Sequence, residues 1–167
     1  MADKNRLNEK GFSLTELLIY SLLLLLVLSA VYGLLMSAVR SWQTGENVAD
    51  IQQNARMAMD RMVSELRVCG GIVDDATHDS TTGTIYFTEH PGTTEVACYR
   101  YNESTKKILY HNTPLAEYVD FFNLTYYQDG TVLTAGFDGA NRVKIEMEIE
   151  KDGIRKSFSS SSQLRNK

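Results

Sequence analysis

Hydrophobic residues are arranged in three different ways along this chain. From Leu17 to Val39 the run LLIYSLLLLLVLSAVYGLLMSAV is uninterrupted: 23 consecutive uncharged residues, ten of them leucine. At about 1.5 Å of rise per residue such a helix spans roughly 35 Å, enough for a bilayer core of about 30 Å. The second arrangement is periodic. Ile51, Ala55, Ala58, Met62 and Leu66 recur every three or four residues, while Asp50, Gln53, Asp60, Ser64 and Arg67 fall largely off that stripe. This predicts an amphipathic helix continuing from Arg40, stopped by Gly70-Gly71. The third arrangement is alternation. Val143, Ile145, Met147 and Ile149 alternate with Lys144, Glu146, Glu148 and Glu150, the pattern of a half-buried strand.

Other strands are weaker but readable. Thr84–Thr88 is one; residues 95–101 and 107–111 form a hairpin across Asn102-Glu103-Ser104-Thr105; residues 121–128 are rich in aromatic and β-branched residues. Asp152-Gly153 turns the alternating strand into a last one over residues 154–159. The polar stretch 73–83 has no periodicity and reads as a connecting loop of variable conformation. One long helix followed by antiparallel strands is α+β organisation, with the sheet covering the amphipathic stripe.

An average of 43% hydrophobic and 23% charged residues looks globular, but it hides this division between an apolar rod and a polar domain. A freely soluble cytoplasmic enzyme is therefore a poor fit. Net charge is −4 with no block of lysine and arginine, which argues against nucleic acid as a partner. The leader MADKNRLNEKG carries Lys4, Arg6 and Lys10 against Asp3 and Glu9, so the N-terminus is expected inside and the remainder exported. A cleaved secretory signal would have a shorter apolar core and a small-x-small site; here the run passes straight into more helix-forming sequence, and no lipobox cysteine is present. The rod is expected to be retained.

Glu16 does not suit a plain anchor, because a carboxylate in the apolar zone costs about 2.5–3.5 kcal/mol on insertion scales. Its setting is Lys10-Gly11-Phe12-Ser13-Leu14-Thr15-Glu16, a basic leader ending in Lys-Gly ahead of a long apolar helix. This resembles the class III signal of type IV pilins and their relatives. The resemblance implies cleavage between Gly11 and Phe12 by a membrane-embedded prepilin peptidase, followed by N-methylation of Phe12. It also gives Glu16 a role: the carboxylate attracts the N-terminal amine of a neighbouring subunit during filament assembly. Asp50-Ile51-Gln52-Gln53-Asn54-Ala55-Arg56, with Met59-Asp60 and Glu65-Leu66-Arg67, looks like the helix end of PilW-like minor pilins and of J-type pseudopilins of type II secretion. The serine-rich close at residues 158–166 resembles their final strand.

The fold implied is pilin-like. It comprises a leader at 1–11, a transmembrane and filament-core helix at 12–39, an amphipathic half at 40–70 and an antiparallel sheet region at 71–167. The function implied is that of a minor pilin that primes assembly or sits at a filament tip. The alternative is a J-type pseudopilin, and an adhesin or DNA-uptake pilin ranks below both. Partners would be other minor and major pilins, the peptidase and an inner-membrane assembly platform. Gly33 lies within the apolar helix either as a breaker or for close helix packing; no proline occurs in residues 12–69, unlike many major pilins.

The remaining chemistry is sparse. Cys69 and Cys98 could form a disulfide in an oxidising compartment, or remain two reduced buried thiols. His78, His90 and His111 have no metal-ligand spacing, and Asp74, Asp75 and Asp79 could offer oxygens to calcium without forming an EF-hand pattern. No cofactor, no metal and no catalytic residues are expected.

Overall fold

The computed structural model describes residues 13–165; the leader, Gly11 and Phe12 lie outside the described residues. The chain divides into two compact units, Met1–Gly45 and Glu46–Lys167. Helix α1 is one unbroken element, Leu14–Val68, and it passes through Gly33 without interruption.

In the second unit the helix buries Ile51, Ala55, Ala58, Met59, Met62 and Leu66. The whole expected stripe is therefore covered, and Met59 widens it. Two adjacent positions per turn are what an apolar face of about 100° requires. Nine strands follow among the described residues: β1 (Gly71–Val73), β2 (Thr84–Thr88), β3 (Val96–Asn102), β4 (Lys107–Tyr110), β5 (Thr113–Ala116), β6 (Val119–Gln128), β7 (Thr131–Val132), β8 (Arg142–Lys151) and β9 (Ile154–Gln163). They make two antiparallel sheets, β1-β2-β3-β4-β5 and β7-β6-β8-β9. The fold is α+β with a pilin-like architecture, a long N-terminal helix packed against antiparallel sheet.

Alternation explains which side chains meet the helix. Ile85 and Phe87 of β2, Ala97 and Tyr99 of β3, and Val143, Ile145, Met147 and Ile149 of β8 all enter one core with the helix stripe. Polar contacts fix the helix to both sheets. The Tyr99 hydroxyl donates to Glu65 Oε2 at 2.5 Å, and Arg61 lies 4.4 Å over the Tyr110 ring. On the other sheet, Ser162 Oγ donates to the Val63 carbonyl at 3.0 Å and Lys151 Nζ pairs with Asp50 at 2.7 Å. The β8–β9 turn is Asp152-Gly153 with φ of +51° and +77°, the left-handed pair that a two-residue hairpin needs.

Three features depart from the sequence reading, and a fourth falls on one side of an alternative it left open. The strands divide between two sheets, and the change comes between β5 and β6, where Tyr118 takes a φ of +61°. The last strand runs on to Gln163: Ser160 and Ser162 take core-facing positions opposite Ile145 and Val143. The segment 73–83 is pinned by its own polar groups. Ser80, buried, donates to the Val73 carbonyl at 2.7 Å and accepts from the Tyr86 amide, and Asp74 accepts from the Ser80 and Phe137 amides. Finally, no disulfide joins Cys69 and Cys98. Cys69 is buried and its thiol donates to the Leu66 carbonyl at 3.2 Å. Cys98 lies between Ala97 and Tyr99, both core-facing, so the pleat turns it to the opposite side of the sheet.

Candidate functional site: an apolar segment and one carboxylate

The first unit offers a solvent problem. Along residues 17–39 the large apolar side chains stand out from the helix: Leu34 is 73% exposed and even Met36 is 41% exposed. None of the most apolar window is buried, and by length and composition this helix is able to cross a membrane. Two of its serines are satisfied locally. Ser21 Oγ donates to the Leu18 carbonyl and Ser29 Oγ to the Leu26 carbonyl, both at 2.8 Å. Folding these two hydroxyls back onto the helix satisfies both donors without water, as an apolar medium favours.

Glu16 sits at the start of this segment, in the first turn of α1. There the helix macrodipole favours an anion. The turn is closed by the Glu16 and Leu17 amides donating to the Ser13 carbonyl at 3.0 and 3.1 Å. The Tyr20 hydroxyl, one turn on, donates to Glu16 Oε1 at 3.4 Å. A carboxylate has room for about four such donors. Among the described residues no cation pairs with Glu16. The arrangement thus presents an anion at the head of an uncharged stretch that next meets charge at Arg40.

One feature escaped the reading of single residues. Ser29, Gly33, Ser37, Ser41 and Gly45 are spaced four apart and form a ladder of small side chains along one side of the helix. A Cβ built on Gly33 would meet nothing within 4 Å, so no contact within the chain requires glycine there. The signal that could have found the ladder is the four-residue spacing of small residues that allows close approach of apolar helices.

Several titratable groups of the second unit are engaged in structural bonds. Burial pushes the Tyr99 phenol well above its ordinary value, reinforced by the hydrogen bond to Glu65, and burial does the same to Tyr126. Both hydroxyls serve as donors, Tyr126 to the Thr81 carbonyl at 2.9 Å. A groove of about 360 Å³ beside Ile51, Asn54, Met57 and Tyr118 is also lined by the Asp50–Lys151 ion pair. A smaller hollow of about 170 Å³ lies between Glu65, Glu89 and Tyr110. Neither holds a nucleophile aligned with a base. Asp75 accepts from the Thr77 and His78 amides, both at 2.8 Å, and those bonds hold its carboxyl below the usual range. Among the described residues no group of three or more histidine, cysteine, aspartate or glutamate side chains converges on a metal position.

Of the residues singled out from sequence, Glu16 is placed as above, Gly11 and Phe12 lie outside the described residues, and Cys69 and Cys98 are kept apart. In comparisons with known proteins, no family model matches the chain and no curated protein matches it.

Proposed function

We propose that this chain is a minor-pilin-type subunit of a type IV pilus. Residues 17–39 hold it in the inner membrane with its N-terminus in the cytoplasm and residues 46–167 on the far side. A prepilin peptidase cleaves between Gly11 and Phe12 and methylates the new amine of Phe12. Glu16 of one subunit then meets the N-terminal amine of the next, and the apolar helices pack as the filament core. In this reading the chain is a substrate and building block, with no catalysis of its own. Its partners are other pilins, the peptidase and the assembly platform.

The observation that best supports this is the pairing of an exposed, uncharged stretch with one carboxylate at its head that has no cationic partner among the described residues. A lone anion in such a setting is costly for an anchor. It becomes favourable when an amine is delivered beside it, because opposite charges attract far more strongly away from water. The small-residue ladder 29–45 offers the close helix approach that such packing uses.

Gly11→Ala tests the processing step. The variant is expected to accumulate in the membrane as a full-length precursor, whereas wild type yields a methylated Phe12 N-terminus by mass spectrometry. Glu16→Ala is expected to be processed normally yet be depleted from sheared filaments. Normal maturation of the first variant, or normal recovery of the second in filaments, would overturn the reading.

A further inference from the structure

The two sheets have four outer strands, and they are not equally protected. β1 has three residues and β7 only two. β5 has four, contains Pro114, and pairs with β4 through a register shift. Short strands, proline, bulges and charged side chains are the usual ways of blocking a sheet edge. β9 has only the last, Arg155 and Lys156 at one end, and its serine run has none. It is ten residues long, lacks proline, and pairs with β8 in unbroken register from Lys151↔Ile154 to Arg142↔Gln163.

The register also fixes which backbone groups are open. The tight turn makes Lys151 and Ile154 a hydrogen-bonded pair, and the Leu164 amide donates to the Asn141 carbonyl at 2.9 Å. Even-numbered residues of β9 therefore bond to β8. Odd-numbered Ser157, Ser159 and Ser161 turn their N–H and C=O groups outward, and all three are exposed. Among the described residues the edge closes only beyond the strand, where the Arg165 amide donates to the Arg67 carbonyl at 3.3 Å.

We infer that β9 is a docking edge for an extended segment of a different polypeptide, which joins the sheet by main-chain hydrogen bonds and carries acidic residues at its ends. The charges select that occupant. β9 bears Arg155 and Lys156 at one end and no acidic residue, and Arg165 follows the other end. Arg155 is engaged by Glu150, Glu148 and Asp120, but Lys156 has no ion-pair partner among the described residues. A second copy of β9 would bring two basic strands together, whereas an acid-flanked strand matches Lys156 and Arg165. The serines between are small enough to accept alternating side chains on either face. This inference does not rest on the fate of residues 1–16, so a failure of processing or of filament entry leaves it standing.

The test uses the full chain in detergent micelles and a fluorescent synthetic peptide of alternating valine and threonine flanked by glutamates. Anisotropy should show binding, and amide exchange at Ser157, Ser159 and Ser161 should slow at least about tenfold, as bonded strand amides do. The same peptide flanked by lysines should bind at least about tenfold more weakly. Ser159→Pro removes one outward N–H without touching the β8 ladder and should weaken binding by about tenfold or more. Lys156→Glu, which spares the backbone, should shift preference toward the lysine-flanked peptide even if the proline variant folds poorly. Absence of binding by folded protein, binding that leaves those three amides unprotected, or burial of the same amides by self-association without peptide would each overturn the proposal.

Discussion

Residues 17–39 and residues 51–66 lie on the same helix, yet their apolar side chains are treated in opposite ways. In the first stretch leucines cover every side of the helix and remain exposed. In the second, Ile51, Ala55, Ala58, Met62 and Leu66 occupy one face and are at most 1% exposed. Backbone hydrogen bonding is identical in the two. What differs is the number of directions in which apolar side chains point, and this decides the solvent each stretch requires. A one-sided stripe is satisfied by a sheet. An all-round surface is satisfied only by lipid or by other helices.

The largest expected effect separates the two stretches directly. Leu66→Ala removes a fully buried side chain from the core and should cost about 2–5 kcal/mol of unfolding free energy. Leu25→Ala, at a position 67% exposed, should leave the same denaturation curve within about 0.5 kcal/mol. Near-UV circular dichroism in urea, with the chain held in micelles, measures both. Equal losses would mean that the apolar stretch contributes to the globular core after all.

The alkaline limit of the second unit sharpens the contrast further, since its core holds phenols. Burial raises the folded values of Tyr99 and Tyr126, so both stay protonated when the unfolded chain begins to lose those protons near pH 10. Their contribution is complete below pH 10 and declines as pH rises above it, by up to about 1.4 kcal/mol per pH unit for each tyrosine. Urea midpoints between pH 9 and 12 should fall steeply. Tyr126→Phe should flatten the slope, and an unchanged slope would contradict the buried-phenol account.

These elements differ in how legible they were. The helix stripe and β8 were readable because each repeats its period over several turns or residues, long enough to outvote local noise. The end of β9 was not, because Ser160 and Ser162 hold core positions that read as polar; Ser162 earns burial only through its bond to the Val63 carbonyl. β1, β5 and β7 are too short to show any period. The change from one sheet to the other falls at a left-handed Tyr118, which composition does not flag for an aromatic residue. The separation of the cysteines was available: Cys98 shares strand parity with the exposed Arg100, while Ala97 and Tyr99 face the core. In the candidate site Glu16 stood out as a charge beside an uncharged run. The small ladder did not, since a glycine or serine among leucines carries no charge or hydropathy contrast.

The smallest expected effect belongs to that ladder. In the stripe at 51–66 any added atom meets the sheet, but a methyl at Gly33 meets nothing of its own chain. Within one subunit Gly33→Ala should therefore raise helix stability by about 1 kcal/mol, the difference in propensity, and leave the urea midpoint of the second unit unchanged. Between subunits the same methyl lies where helices packed along Ser29, Gly33 and Ser37 would make closest approach, and it should weaken association of the chains in micelles. Helicity and self-association then move in opposite directions. Cross-linking yield measured beside far-UV circular dichroism reads both in one sample. Stronger helicity with unchanged or increased cross-linking would place the helix contact on another face and remove the ladder from the account.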